Sequence, residues 1–209
     1  MRIVIVMFLA ILVSACETIK IKPIDQDYAF IEKPGVGYVF GTLTQTFVKK
    51  ERSKIFDDTY ISHIYIDEKV KGSNKSYRAS VIGGENNIQN PDFPNENGFL
   101  FLFEIAVGTH QLDHWSAKEA YVTIMPNKSM VPLSFTITEG EILYLGNVHM
   151  DLGFGKNLIG APVTSEVVPE IRHLFYRDKR LLLRKYKSLS NKKIINAPLK
   201  NKFWAQIEA

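Results

Sequence analysis

The middle of the chain alternates apolar and polar residues with a period of two. This period indicates strands with one buried face, and β-branched and aromatic residues are frequent in it. Gly, Asn and Pro residues separate eight predicted strands: Gly37–Val48, Tyr60–Asp67, Ser76–Ile82, Phe99–Ala106, His110–Ser116, Tyr121–Met125, Leu133–Thr138 and Ile142–Met150. Short strands at this spacing predict an all-β fold, either a sandwich or a barrel, and we expect the antiparallel β-sandwich.

The pattern changes near Pro169. Apolar residues now recur at steps of three and four, which is the stripe of an amphipathic helix: Ile171, Leu174, Phe175, Leu182, Tyr186 and Leu189. Pro169 and Glu170 suit the first turn of a helix, and basic residues suit its far end. The sequence therefore predicts a C-terminal amphipathic helix over residues 169–190.

The N-terminus carries a short apolar run behind a positive charge. Arg2 precedes eleven consecutive apolar residues, from Ile3 to Val13. A helix that spans a bilayer needs about 20 such residues. The run therefore has the length of a signal-peptide core and is too short for a membrane span.

The next residues, Val13-Ser14-Ala15-Cys16, resemble the lipobox of bacterial lipoproteins. The resemblance implies cleavage after Ala15 and acyl chains on Cys16, so the expected prosthetic group is this covalent lipid and no other cofactor. Cys16 is the only cysteine, which leaves no intramolecular disulfide. The alternative is a secreted protein with a chance cysteine at its cleavage site. Because Glu17 replaces the aspartate that commonly marks inner-membrane retention, we expect a periplasm-facing lipoprotein of the outer membrane.

Length and composition fit one globular domain. Removing residues 1–15 from 209 leaves 194, and the whole chain is 45% hydrophobic and 23% charged. The predicted organisation is a signal peptide (1–15), a tether (16–35), a β-sandwich domain (36–168), a C-terminal helix (169–190) and a tail (191–209). Residues 84–98, rich in Asn, Pro and Gly, form the longest predicted loop.

One predicted hairpin resembles a known family of sandwiches. The segment from Phe103 to Leu112 is similar to the strand pair of transthyretin-like, carboxypeptidase-regulatory-like domains, roughly F-x-L-x-P-G-x-Y-x-L, with Gly108 at the turn. Val107 replaces the proline and His110 the aromatic residue. The segment from Gly140 to Gly146 is similar to the next element. The resemblance implies a sandwich and carries no activity, because unrelated functions share such folds.

Three histidines suggest a possible metal site. His110 and His114 are four residues apart on one predicted strand, so they are expected on the same face. His149, with Asp151 nearby, ends another strand. If those strands were neighbours, the three imidazoles could bind a metal ion. The alternative function is therefore a metal-dependent periplasmic enzyme or metal-binding protein, and the more ordinary alternative is a set of surface or half-buried polar residues.

Nothing in the sequence marks a catalytic nucleophile. No G-x-S-x-G motif is present, and an acylated Cys16 cannot act as a thiolate. Gly153-Phe154-Gly155-Lys156 lacks the spacing of a phosphate-binding loop. The leading hypothesis is a non-catalytic envelope lipoprotein that acts by binding or scaffolding, with a protein partner in the envelope.

Positive charge collects at the C-terminal end. The net charge is +4, and residues 170–209 hold eleven Lys and Arg against three acidic residues. Four of these basic residues could lie against anionic headgroups at about 1 kcal/mol each: Arg177, Arg180, Arg184 and Lys187. The alternative is a helix that packs on the sandwich and keeps a solvated basic face. Nucleic acid is not an expected partner of an exported, tethered protein.

Overall fold

A computed structural model describes most of the chain, at residues 19–25, 27–28, 30–31, 33–47, 60–68, 75–83, 90–119, 122–126, 131–156 and 162–200. The predicted signal peptide and Cys16 lie outside these residues. The described strands are β1 (Ile19–Ile21), β2 (Val36–Phe47), β3 (Tyr60–Glu68), β4 (Lys75–Gly83), β5 (Asn97–Ala106), β6 (Gly108–Glu119), β7 (Val122–Ile124), β8 (Leu133–Ile137), β9 (Ile142–Lys156), β10 (Pro162–Arg172) and β11 (Ile194–Asn196). Helix α1 (Phe175–Lys185) and a 3₁₀ turn (Lys187–Leu189) lie between β10 and β11.

The strands form two sheets. The β3 sheet has the order β1-β4-β3-β6-β7, and β8 also pairs with β6. The β2 sheet has the order β10-β9-β2-β5, and β11 also pairs with β9. Most neighbours are antiparallel, but β1 with β4, β2 with β9, and β11 with β9 are parallel pairs. The prediction of an all-β sandwich with a C-terminal helix is confirmed.

The first hydrophobic core lies between the two sheets. Along β3, buried and half-buried residues alternate without interruption, so Ile64 and Ile66 point inward. Val39 and Leu43 of β2 face them with no exposed surface. Each fully buried side chain of this size contributes about 1.5–3 kcal/mol. The alternation that predicts the strands therefore also supplies the main core.

A second core covers the outward face of the β2 sheet. Tyr38 and Phe40 point outward from β2, yet they are buried. Leu181 and Leu182 of α1, with Tyr186 after it, pack against this face. The apolar stripe of the helix thus forms a third layer on the sandwich.

The helix begins later than the sequence pattern suggests. The prediction of a helix over residues 169–190 is wrong in its bounds, because residues 162–172 form β10 and α1 starts at Phe175. β10 is an edge strand, where proline is tolerated since the missing N–H would not pair in the sheet. Pro169 therefore lies inside a strand and does not open a helix.

Both ends of the described chain join the sandwich. β1 pairs with β4, the Ile24 N–H donates to the Leu102 carbonyl at 2.7 Å, and the Phe30 ring lies 5.3 Å from that of Tyr38. The predicted tether of residues 16–35 is corrected, since it becomes part of the fold from residue 19 onward. β11 likewise brings part of the predicted tail (191–209) into the β2 sheet.

Gly41 tests the close approach of β2 and β9. A Cβ at this position would overlap the carbonyl oxygen of Gly146 and stand 2.7 Å from the Phe101 ring. Gly41→Ala should lower the free energy of unfolding by about 2–3 kcal/mol, as overpacking does. Chemical denaturation measures the loss.

Gly140→Ala is the matched control. Gly140 has φ of +72° and no neighbour within 4 Å of an added Cβ, so only backbone strain of about 1 kcal/mol is expected. An equal or smaller loss for Gly41→Ala would contradict the packing described.

Candidate functional site

A cavity of about 450 Å³ opens where β2 and β9 begin. Its volume lies within the range of about 300–1,000 Å³ that is usual for ligand pockets. Its wall combines the segment before β2, the turn before β9 and the 3₁₀ turn. The lining residues are Phe30, Ile31, Lys33, Pro34, Val36, Tyr38, Glu139, Gly140, Ile142, Leu189 and Lys192. The cavity is therefore mainly apolar, with charged groups among its lining residues.

Lys33 is held in place beside this cavity. Its ammonium group donates to the Tyr28 hydroxyl at 2.9 Å and to the Glu104 carboxylate at 3.0 and 3.1 Å. Tyr28 also donates to Glu104. These hydrogen bonds, first the one to Tyr28 and then those to Glu104, raise the pKa of Lys33. Lys33 thus keeps its positive charge, while its side chain stays 44% exposed.

A second arrangement, the polar rows, lies farther along the outward face of the β2 sheet. It consists of three cross-strand pairs between β2 and β9: Thr42 with Asn147, Thr44 with His149, and Thr46 with Asp151. Gly146, with φ of +116°, forms a bulge just before Asn147. The extra residue lets Leu145 and Val148 both face the inner core, so the polar residues of β9 stay on the outward face.

His149 is the centre of the polar rows and has no exposed surface. Its Nδ1 lies 2.7 Å from the Thr44 hydroxyl, and its Nε2 lies 3.0 Å from both the Thr46 hydroxyl and the Asp151 carboxylate. The hydrogen bond with His149, together with that from Thr46, lowers the pKa of Asp151 to about 2 against the effect of burial. Both ring nitrogens of His149 therefore have partners inside the protein.

Two residues of α1 extend the polar rows and fix the helix to the sheet. Arg177 donates to Glu96 at 2.8 Å, to Asp178 at 2.7 Å and to the Thr42 hydroxyl at 3.0 Å. Asp178 is fully buried and accepts from Thr42 at 2.9 Å and from Tyr144 at 2.7 Å. Burial raises the pKa of Asp178. These hydrogen bonds join α1 to the β2 sheet, so we call Arg177, Asp178 and their partners the clamp and assign it a structural role.

The histidines do not form the predicted metal site. Tyr65 pairs with His114 but Ile66 pairs with Leu112, so β6 has a bulge at Asp113. The expectation that His110 and His114 share a face is wrong, because a bulge reverses the alternation. His110 is buried, and its Nε2 lies 2.8 Å from the Ala106 carbonyl oxygen. His114 lies on the outer face of the sheet, where its ring centre is 5.2 Å from that of Tyr65.

His149 lies on the outward face of the other sheet. Among the described residues, no three His, Cys, Asp or Glu side chains come together in a way that could hold a metal ion.

The predicted basic surface of α1 is only partly exposed. Arg177 belongs to the polar rows, with 22% of its side chain exposed, so its assignment to that surface is wrong. Arg184 pairs with Asp92 across the surface. Arg180 and Lys187 are exposed. The stripe that packs α1 on the sheet places Arg177 at the boundary, where a buried Asp178 attracts it.

The comparisons with known proteins do not extend these observations. Neither family models, nor curated proteins, nor solved structures give a match to the chain. The resemblance of residues 98–150 to transthyretin-like domains stays a prediction. In the part of the chain that the structure describes, no helix has the length and apolar character needed to traverse a bilayer.

The cavity and the polar rows are not evident from the sequence. The alternation Thr42-x-Thr44-x-Thr46 is a visible signal, because it places three hydroxyl groups on one face of a strand. The pattern does not show that β9 pairs beside it. The cavity has no sequence signal, since its wall joins segments more than 150 residues apart.

Asp151 tests the electrostatics of the polar rows. The pKa of Asp151 is about 2 in the folded protein and about 3.9 in the unfolded chain. The ionised carboxylate therefore stabilises the fold fully at pH values above about 3.9. The contribution is lost as pH falls through 2. Asp151→Asn should cost about 1 kcal/mol at pH 7, a value reduced for the 38% exposure of the side chain. The difference from the unmodified protein should vanish between about pH 4 and pH 2.

Urea unfolding at a series of pH values measures this difference. The exposed Asp27, changed to Asn, is the matched control and should leave stability unchanged across the series. A loss for Asp151→Asn that stays constant down to pH 2 would exclude the carboxylate as its cause.

Proposed function

We propose that this protein is a non-catalytic envelope lipoprotein, anchored to a membrane by acyl chains on Cys16, that acts by binding. The observation that carries the proposal is the position of β1, which joins the β3 sheet only three residues after Cys16. Three peptide units span at most about 11 Å. Acylation of Cys16 would therefore hold the sandwich close to the bilayer, without a long flexible spacer.

The anchor would also orient the sandwich. Ile19 pairs with Lys75 at the start of β4, and β4 begins at the same end of the sandwich as β2 and β9. The β5–β6 turn closes this end, where the Val107 N–H donates to the Gly35 carbonyl at 3.0 Å. We name it the anchor end. A short link at β1 would turn the anchor end toward the membrane.

The cavity is at the anchor end. It is lined by Val36 and Tyr38 at the start of β2, and by Gly140 and Ile142 around the start of β9. The polar groups of the clamp are satisfied inside the fold, whereas the cavity offers an open, mainly apolar surface. This contrast supports binding at the cavity as the function of the domain. Glu17 supports the outer membrane as the proposed location, with the sandwich in the periplasm.

The anchor is tested by Cys16→Ser. The substitution removes the thiol that carries the lipid, so labelling by a fatty-acid probe should be lost and the protein should leave the membrane fraction. Metabolic labelling and membrane fractionation of intact cells measure both effects. Ser14→Ala, which exchanges one small residue for another before the cleavage point, should keep the label. Persistent labelling and membrane association of Cys16→Ser would overturn the proposal.

A further inference from the structure

We infer that the cavity at the anchor end takes an acyl chain of a membrane phospholipid, with its headgroup at the charged residues of the rim. The inference rests on the proposed anchoring, because anchoring brings lipid to this end of the sandwich. It goes further by naming what the cavity binds.

The wall of the cavity has the character that an acyl chain requires. Phe30, Pro34 and Val36 keep part of their apolar surface exposed in the wall, whereas Ile142 and Leu189 are almost completely buried. Removing an alkyl chain from water is worth about 0.8 kcal/mol for each buried CH₂. Such a wall offers few hydrogen bonds to a polar ligand and much contact area to a hydrocarbon.

Two exposed apolar side chains lie at the same end. Ile31 lines the cavity and is 64% exposed, and Val107, in the β5–β6 turn, is 37% exposed. At a bilayer surface both residues would contact the acyl region, so a lipid chain could pass from the bilayer into the cavity without crossing water.

The rim carries charged groups of both signs for a phospholipid headgroup. Lys33 uses its three N–H donors on the Tyr28 hydroxyl and the two Glu104 oxygens, and this ion pair leaves the ammonium group partly exposed. Lys192 is a second, exposed cation. Glu139 is the acidic lining residue, and its carboxylate accepts the Gly35 N–H at 2.9 Å. The headgroup of a phospholipid would meet these charges at the mouth, and its chain would meet apolar surface inside.

The anchor selects lipid as the occupant. With Ile19 within about 11 Å of an acylated Cys16, the cavity faces a bilayer in which phospholipid is the most concentrated apolar ligand. Local concentration of this kind favours binding even where intrinsic affinity is modest.

Photocrosslinking tests the inference. The acylated protein is reconstituted in vesicles of phosphatidylethanolamine and phosphatidylglycerol, with a diazirine near the chain end of some of the phosphatidylglycerol. Mass spectrometry should find crosslinks on partly exposed cavity residues such as Phe30 and Val36. Val36→Trp fills the cavity and should reduce these crosslinks by about fivefold or more. The matched control Val131→Trp changes a valine that is 61% exposed and outside the cavity, and it should have no effect.

Ile31→Asp provides a second blocking variant at an exposed position, where folding should be unaffected. Ile31→Asp should reduce crosslinking as Val36→Trp does. Thermal unfolding checks that each variant is folded. Unchanged crosslinking in a folded Val36→Trp or Ile31→Asp protein, or crosslinks confined to residues outside the cavity, would overturn the inference.

A further arm separates the cavity from the anchor. The full-length Cys16→Ser protein is mixed with micelles of lysophosphatidylglycerol that carries the same diazirine. Crosslinks in the cavity are expected, because the cavity is complete without the anchor. Their absence would overturn lipid binding even if the anchor is correct. If these crosslinks are found but the unmodified protein carries no lipid on Cys16 in cells, only the proposed anchor is overturned and lipid binding stands.

Discussion

The parallel pairing of β2 with β9 is the interaction on which the rest of the structure depends. The two strands pair along most of their length, between Tyr38 and Phe47 on one side and Ile142 and Leu152 on the other. Both faces of this pair are covered, the inner face by the β3 sheet and the outer face by α1. A parallel pair that is buried on both sides is the usual form in proteins. About a hundred residues separate the two strands, so the pairing brings together the other elements of the sandwich.

The outer face of this pair changes character along its length, and the change explains both sites. Near the start of β2, Tyr38 and Phe40 bind α1 through apolar contact. Farther along, threonine replaces the aromatic residues, and the outward groups of β9 become polar. Burying polar groups without partners would cost several kcal/mol. Arg177 and Asp178 supply partners for Thr42 and Tyr144. His149 instead bonds to the Thr44 and Thr46 hydroxyls and to Asp151. The same short helix therefore covers an apolar region and the beginning of a polar one.

The period-two pattern predicts eight of the described strands, β2 to β9, because each of them has a face in a core, whereas β1, β10 and β11 are not predicted. It fails where the backbone departs from that period. The bulge at Asp113 reverses the alternation, so a metal site built on His110 and His114 has no basis in the fold. Pro169 resembles the start of a helix in the sequence, but it lies in the edge strand β10, where a proline is tolerated. Pairing between distant segments has no local signal, which is why the cavity and the polar rows are not predicted.

The proposed anchor and the cavity are connected by the segment that begins with β1, which belongs to the fold and is not a free tether. A free linker of twenty residues would let the domain move tens of ångströms from the membrane and face it in any direction. Since β1 begins at Ile19, the proposed lipid on Cys16 leaves little such freedom. The same segment crosses β5, packs Phe30 on Tyr38 and ends at Lys33 in the wall of the cavity. The chain that would hold the protein at the membrane therefore also builds the surface that would meet the lipid.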